Sequence, residues 1–169
     1  MNRFVKQVAI GVALIIAGCA GPEPAPPSST AANEEPMIDQ RSYQLGNIGT
    51  FAEVVALGIK KLGLSPALTP REMDGLIEEA EKIIERNGAK HYRERDFLVT
   101  DLFPPEVTEG KEVILIYLDP VKDDYMALKA QKEALISEGK YEGEARKEIA
   151  RGMGLLLSYP EERIESMLA

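Results

Sequence analysis

Val113-Ile114-Leu115-Ile116-Tyr117-Leu118 is the stretch that most restricts how this chain can fold. It is rich in β-branched and aromatic side chains and reads as a strand. A strand that is apolar at every position has no side to offer water, so both of its faces must be covered.

The cover is predicted by helical patterns on either side of it in the sequence. Thr69-Pro70-Arg71-Glu72 has the spacing of a capping box, with proline in the first turn, where its missing N–H costs nothing. Met73, Leu76, Ile77, Ala80, Ile83 and Ile84 then fall on one helical face, opposite Asp74, Glu78, Glu79, Glu81, Lys82 and Glu85. Asn87-Gly88 stops that helix. Upstream, Thr50-Phe51-Ala52-Glu53 has the same capping spacing, followed by Val54, Val55, Leu57, Ile59 and Leu62, which predicts a helix over 50–62 closed by Gly63. Leu45-Gly46-Asn47-Ile48-Gly49-Thr50 reads as a turn feeding that cap rather than a phosphate cradle, because no Walker lysine and no preceding strand accompany it.

Downstream, helices are expected over 122–138, stopped by Gly139, and over 142–157, where Ala145, Ile149, Met153 and Leu156 share a face. A last short helix, 161–168, follows the corner Tyr159-Pro160. Phe97-Leu98-Val99-Thr100 predicts a second strand, set off from the first by Pro104-Pro105 and by Glu109-Gly110-Lys111. The fold class expected is therefore α+β, a mainly helical single domain packed on a small antiparallel sheet of two strands or slightly more.

The amino terminus carries a separate signal. Arg3 and Lys6 precede the apolar run from Val8 to Ile16, which has the layout of a secretory signal and falls short of the roughly 20 residues a membrane-spanning helix needs. Ile16-Ala17-Gly18-Cys19 resembles the lipobox of bacterial lipoproteins, with isoleucine where that family prefers leucine. The resemblance implies that residues 1–18 are a signal peptide removed before Cys19, and that the Cys19 thiol and the new amino group are acylated. Ala20 in the next position implies the outer membrane, facing the periplasm, in a Gram-negative cell. Acyl chains bury about 0.8 kcal/mol per CH₂, so lipid replaces a transmembrane helix as the anchor. Cys19 is the only cysteine, and no disulfide partner exists for it. Residues 19–36 are rich in proline and lack apolar periodicity, which predicts an extended tether, and 37–169 form the globular domain.

The whole chain has a formal net charge of −8, and loss of residues 1–18 leaves about 18 basic side chains against 28 acidic ones. Such a balance repels nucleic acid and anionic headgroups, and no basic stripe offsets it, so no nucleic-acid partner is expected.

Chemistry-bearing residues are few. His91, the only histidine, is either a general base near Asp96 or Asp101 or a half-exposed residue leading into a strand. With no nucleophile motif nearby, the second reading is preferred. One histidine and one acylated cysteine do not make a zinc set, and no metal or cofactor is expected. Asp119, Asp123 and Asp124 lack the glycine and alternating carboxylates of a calcium loop, and Asp123 and Asp124 instead suit the start of the helix after Pro120, as caps and against its dipole.

The segment from Asp96 to Pro105 is richer. Phe97, Asp101, Phe103, Pro104 and Pro105 are expected to form a face for an envelope protein or a small apolar or peptide-like ligand. The competing expectation is a hydrolase-type enzyme of the envelope that uses carboxylates at Asp96 and Asp101 with His91. Finally, Leu157-Ser158-Tyr159-Pro160 is similar to a Leu-Gly-Tyr-Pro stretch in helical domains of some prokaryotic proteins, with serine in the glycine's place. That resemblance implies no activity.

Overall fold

The computed structural model describes residues 38–169. In chain order they form α1 (Gln40–Ala56), β1 (Leu62–Leu64), α2 (Pro70–Arg86), β2 (Lys90–Glu94), β3 (Val113–Tyr117), α3 (Val121–Ser137), α4 (Gly143–Leu156) and α5 (Glu161–Leu168). The signal peptide, the lipidated Cys19 and the tether read from the sequence lie outside the described residues.

The apolar run is the central strand of a three-stranded antiparallel sheet in the order β1-β3-β2. Every residue of β3 is buried. Its alternate side chains serve two separate cores. Val113, Leu115 and Tyr117 join Leu62, Tyr125, Ile149, Met153 and Ile164 on the side of α3, α4 and α5. Ile114 and Ile116 join Ile48, Ala52, Val55, Met73, Ala80 and Ile84 on the side of α1 and α2. The fold is thus α+β, with helices on both faces of a small antiparallel sheet, and the requirement that β3 be covered twice is met in full.

α2 follows its sequence signals closely. The Thr69 side chain accepts from the Glu72 N–H, and the Glu72 carboxylate accepts from the Thr69 N–H at 2.9 Å. Met73, Leu76, Ala80 and Ile84 are its buried face. Asn87 caps the end and Gly88 follows with φ +84°.

Three expectations are corrected. α1 begins ten residues before Thr50, at Gln40, after the cap Asp39, whose carboxylate accepts from the Ser42 N–H at 3.2 Å. Thr50 is therefore not an N-cap. It lies in the helix interior and donates its hydroxyl to the Gly46 carbonyl at 3.0 Å, and the Leu45–Thr50 stretch is helix rather than turn. The same helix stops at Ala56 on Gly58, and Gly63 lies in β1, where a Cβ would stand 3.1 Å from Phe51 Cβ. Asp123 and Asp124 sit in the first turn of α3, where they oppose its dipole, but no side chain caps that helix.

The third correction concerns Phe97–Thr100, which is not a strand. β3 has two edges; β1 takes one and Lys90–Glu94 the other. Side chains satisfy the backbone of 96–99 instead of a ladder. The Leu98 N–H donates to the Tyr125 hydroxyl at 2.9 Å, Lys132 donates to the Val99 carbonyl at 2.7 Å, and Lys129 donates to the Asp96 carbonyl.

Candidate functional site

Because β2 alternates, its side chains go to opposite faces of the sheet. His91 pairs in register with Ile116 and points toward α2, with Nε2 3.2 Å from Glu85 Oε1 and Nδ1 3.5 Å from Glu81 Oε1. Arg93 faces the same helix, bridging Asp74 at 2.7 Å and the buried Glu112 at 2.6 Å. Glu94 goes the other way, is 4% exposed, and receives Lys129 from α3 at 3.4 Å.

After β2 the chain leaves the sheet and runs over α3 and α4. Asp96 is exposed and pairs with Lys129 at 2.9 Å. Asp101 pairs with Arg146 of α4, whose Nε donates at 2.9 and 2.8 Å to the two carboxylate oxygens while Nη2 also reaches Oδ1. The acid and base candidates therefore have three different sets of partners, two ion pairs and the His91 contacts with Glu81 and Glu85. His91 faces α2, across the sheet from the Asp101–Arg146 pair on α4. The structure does not bring them together.

It does bring together the apolar part of the expected face. Phe97 is buried, its ring centroid 6.5 Å from that of Phe103 and 6.4 Å from that of Tyr125. Phe97 thus anchors the loop from within, while Phe103 is half-buried and Pro104 and Pro105 are exposed, the latter opening a short 3-10 turn over Pro105–Val107. Phe103 stands between two clefts. One, of about 240 Å³, is almost wholly apolar and is walled by Leu64, Pro66, Ala67, Val107 and Val113. The other, of about 450 Å³, lies between Val99–Pro105 and the α3–α4 corner, and adds Lys132, Tyr141 and Arg146 to the expected residues Asp101, Phe103, Pro104 and Pro105. The larger falls within the size range of small-ligand sites, roughly 300 to 1,000 Å³.

Lys132, Tyr141 and Arg146 were not expected from the sequence. They come from two helices and the turn between them, and only the fold places them beside Pro104. The Tyr141 ring lies 5.2 Å from Lys132 Nζ and 5.9 Å from the Arg146 guanidinium carbon, so two cations contact it. Burial holds the Lys132 ammonium below the ordinary lysine range. Among the described residues no cluster of His, Cys, Asp and Glu is arranged to hold a metal, and no helix is long and apolar enough to cross a membrane.

Comparison of the chain with protein-family models, curated proteins and solved structures returns no match.

Proposed function

We infer that this chain is a lipid-anchored lipoprotein of the bacterial cell envelope that works as a binding module rather than as a hydrolase. The anchor rests on the order of basic start, apolar run, Ile16-Ala17-Gly18-Cys19 and proline-rich segment. Binding rests on one structural observation above the others: the 96–105 loop is flanked by two clefts that share Phe103. A carboxylate hydrolase needs its acid and base on either side of one reacting bond. Here Asp96, Asp101 and His91 are each committed to a different partner.

Two measurements test the two halves of this reading. Cys19→Ser should abolish acylation of the mature chain and release it from membranes on fractionation; normal processing with unchanged membrane retention refutes the anchor. A photo-crosslinking residue at Pro104, in intact cells, should yield a discrete adduct that the same group at the exposed Glu53 on α1 does not. Equal labelling at both positions, or none at Pro104, refutes the binding face.

A further inference from the structure

The larger of the two clefts has an unbalanced charge. Arg146 is engaged by both oxygens of Asp101, so those two charges cancel. Lys132 makes one hydrogen bond, to the neutral Val99 carbonyl at 2.7 Å, and one contact with the Tyr141 ring, and no carboxylate of the described residues pairs with it. Asp96, the other acid whose charge acts on it, is paired with Lys129. A half-buried ammonium with two free N–H donors thus sits in the wall of a cleft that also holds the mutually paired Asp101 and Arg146 and whose apolar surfaces include Phe103, Pro104 and the Tyr141 ring. In a chain with a net charge of −8 this is an unusual place to leave a cation without a counterion.

Resting on the binding reading above, we propose that this cleft takes a ligand with an apolar body ending in a single carboxylate, which the Lys132 ammonium receives while Phe103, Pro104 and Tyr141 enclose the apolar part. A carboxylate there restores to Lys132 the charge partner that burial denies it, and a charge-assisted hydrogen bond in a half-dry site is among the stronger ones available. The same chemistry is offered by a free aryl or branched aliphatic acid and by the last residue of a peptide with an apolar C-terminus. A neutral apolar ligand of the same shape leaves Lys132 unpaired.

Isothermal titration of the full chain tests this with N-acetyl-phenylalanine and its uncharged carboxamide. The acid should bind on the order of tenfold or more tighter than the amide. Lys132→Met, which keeps the stem, should remove that difference, and Lys132→Arg should retain most of it, with thermal melting of each variant confirming the fold. A short peptide ending in free phenylalanine separates the two sources: tighter binding than the free acid assigns the site to peptide C-termini, and equal binding assigns it to free acids. Equal affinity for acid and amide overturns the carboxylate assignment while leaving a binding cleft in place. Absence of binding by all three probes overturns it together with the cleft, and so does a preference for the acid that persists unchanged in Lys132→Met.

Discussion

Ser158 has φ +61°, a left-handed conformation that costs an L-residue roughly 1–2 kcal/mol and that glycine adopts freely. It closes α4 in a Schellman motif, the Ser158 N–H donating to the Leu155 carbonyl at 3.1 Å and the Tyr159 N–H to the Gly154 carbonyl at 3.0 Å. The other three helix ends of this type carry Gly58, Gly88 and Gly139. Serine gains something glycine lacks here, since its hydroxyl accepts from the Lys61 N–H at 2.8 Å and ties the turn after α4 to the start of β1. Ser158→Ala and Ser158→Gly lose that bond equally, so the glycine variant should be more stable than the alanine variant by about 1 kcal/mol in chemical denaturation. Alanine equal to glycine refutes the strain argument. Tyr125 is fully buried, and its hydroxyl accepts from the Leu98 N–H. Burial raises its phenol pKa well above the ordinary value, so the folded chain keeps a proton that the unfolded chain gives up. That contribution is complete below pH about 10, the unfolded value, and is lost as pH rises toward the folded one. Tyr125→Phe should therefore cost about 1–3 kcal/mol at neutral pH, by leaving a buried N–H unpaired, and should lose stability less steeply in alkali than the parent chain. Denaturant melts across the alkaline range check both signs.

At the scale of elements, glycines inside helices separate propensity from packing. Gly75 lies on the exposed face of α2, and a Cβ added there would meet no atom within 4 Å, so Gly75→Ala should stabilise by about 0.5–1 kcal/mol. Gly154 of α4 is the opposite case. A Cβ there falls 2.7 Å from Cδ1 and Cγ1 of Ile164 and 3.3 Å from Leu102 Cδ1, and Ile164 is fully buried with nowhere to retreat. Gly154→Ala should destabilise by about 1–3 kcal/mol despite alanine's better propensity, seen as a lower denaturation midpoint at unchanged slope. The same contest between local and tertiary signals governs how far the fold is legible in the sequence. α2 is readable at both ends because its cap, apolar stripe and stop agree. α1 is misread because Gly46, Gly49 and Thr50 look like a turn and a cap, whereas Thr50 spends its hydroxyl on the Gly46 carbonyl within the helix. β1 is three residues long, too short to leave a pattern, and β2 is the charged sequence Lys-His-Tyr-Arg-Glu, whose alternation follows helix faces rather than water. A short edge and a charged edge are also what protects a small sheet from pairing with its neighbours. Of the candidate site, the loop 97–105 is legible from its aromatic and proline content. Lys132, Tyr141 and Arg146 are not, because nothing within α3 or α4 marks which cation will face a loop 33 to 45 residues earlier in the chain.

The molecule as a whole is two cores divided by one strand. Leu115 and Ile116 are adjacent in sequence and both wholly buried, yet Leu115 packs with α3, α4 and α5 while Ile116 packs with α1 and α2. Each core therefore owns only half of β3, and stripping away either helix layer leaves one face of the strand uncovered. Losing one layer exposes alternate side chains of the strand that the remaining layer still needs, which couples the two cores through the backbone between neighbouring residues. Truncating either residue to alanine should cost about 2–5 kcal/mol, the range for a fully buried aliphatic side chain. The informative quantity is where that loss is felt. In an all-or-none domain the slowest-exchanging amides of α2 and α4 must lose protection by the same amount in Leu115→Ala and again in Ile116→Ala, although each substitution touches one core alone. Protection lost in α2 but retained in α4 for Ile116→Ala, with the reverse for Leu115→Ala, shows instead two separately unfolding layers, and native-state hydrogen exchange on the full chain distinguishes the two outcomes. Coupling has a consequence for the cleft at Phe103. Its walls are drawn from the loop after β2 and from the α3–α4 corner, so in the all-or-none case Lys132 and Pro104 stay in one cleft wall for as long as either core is folded.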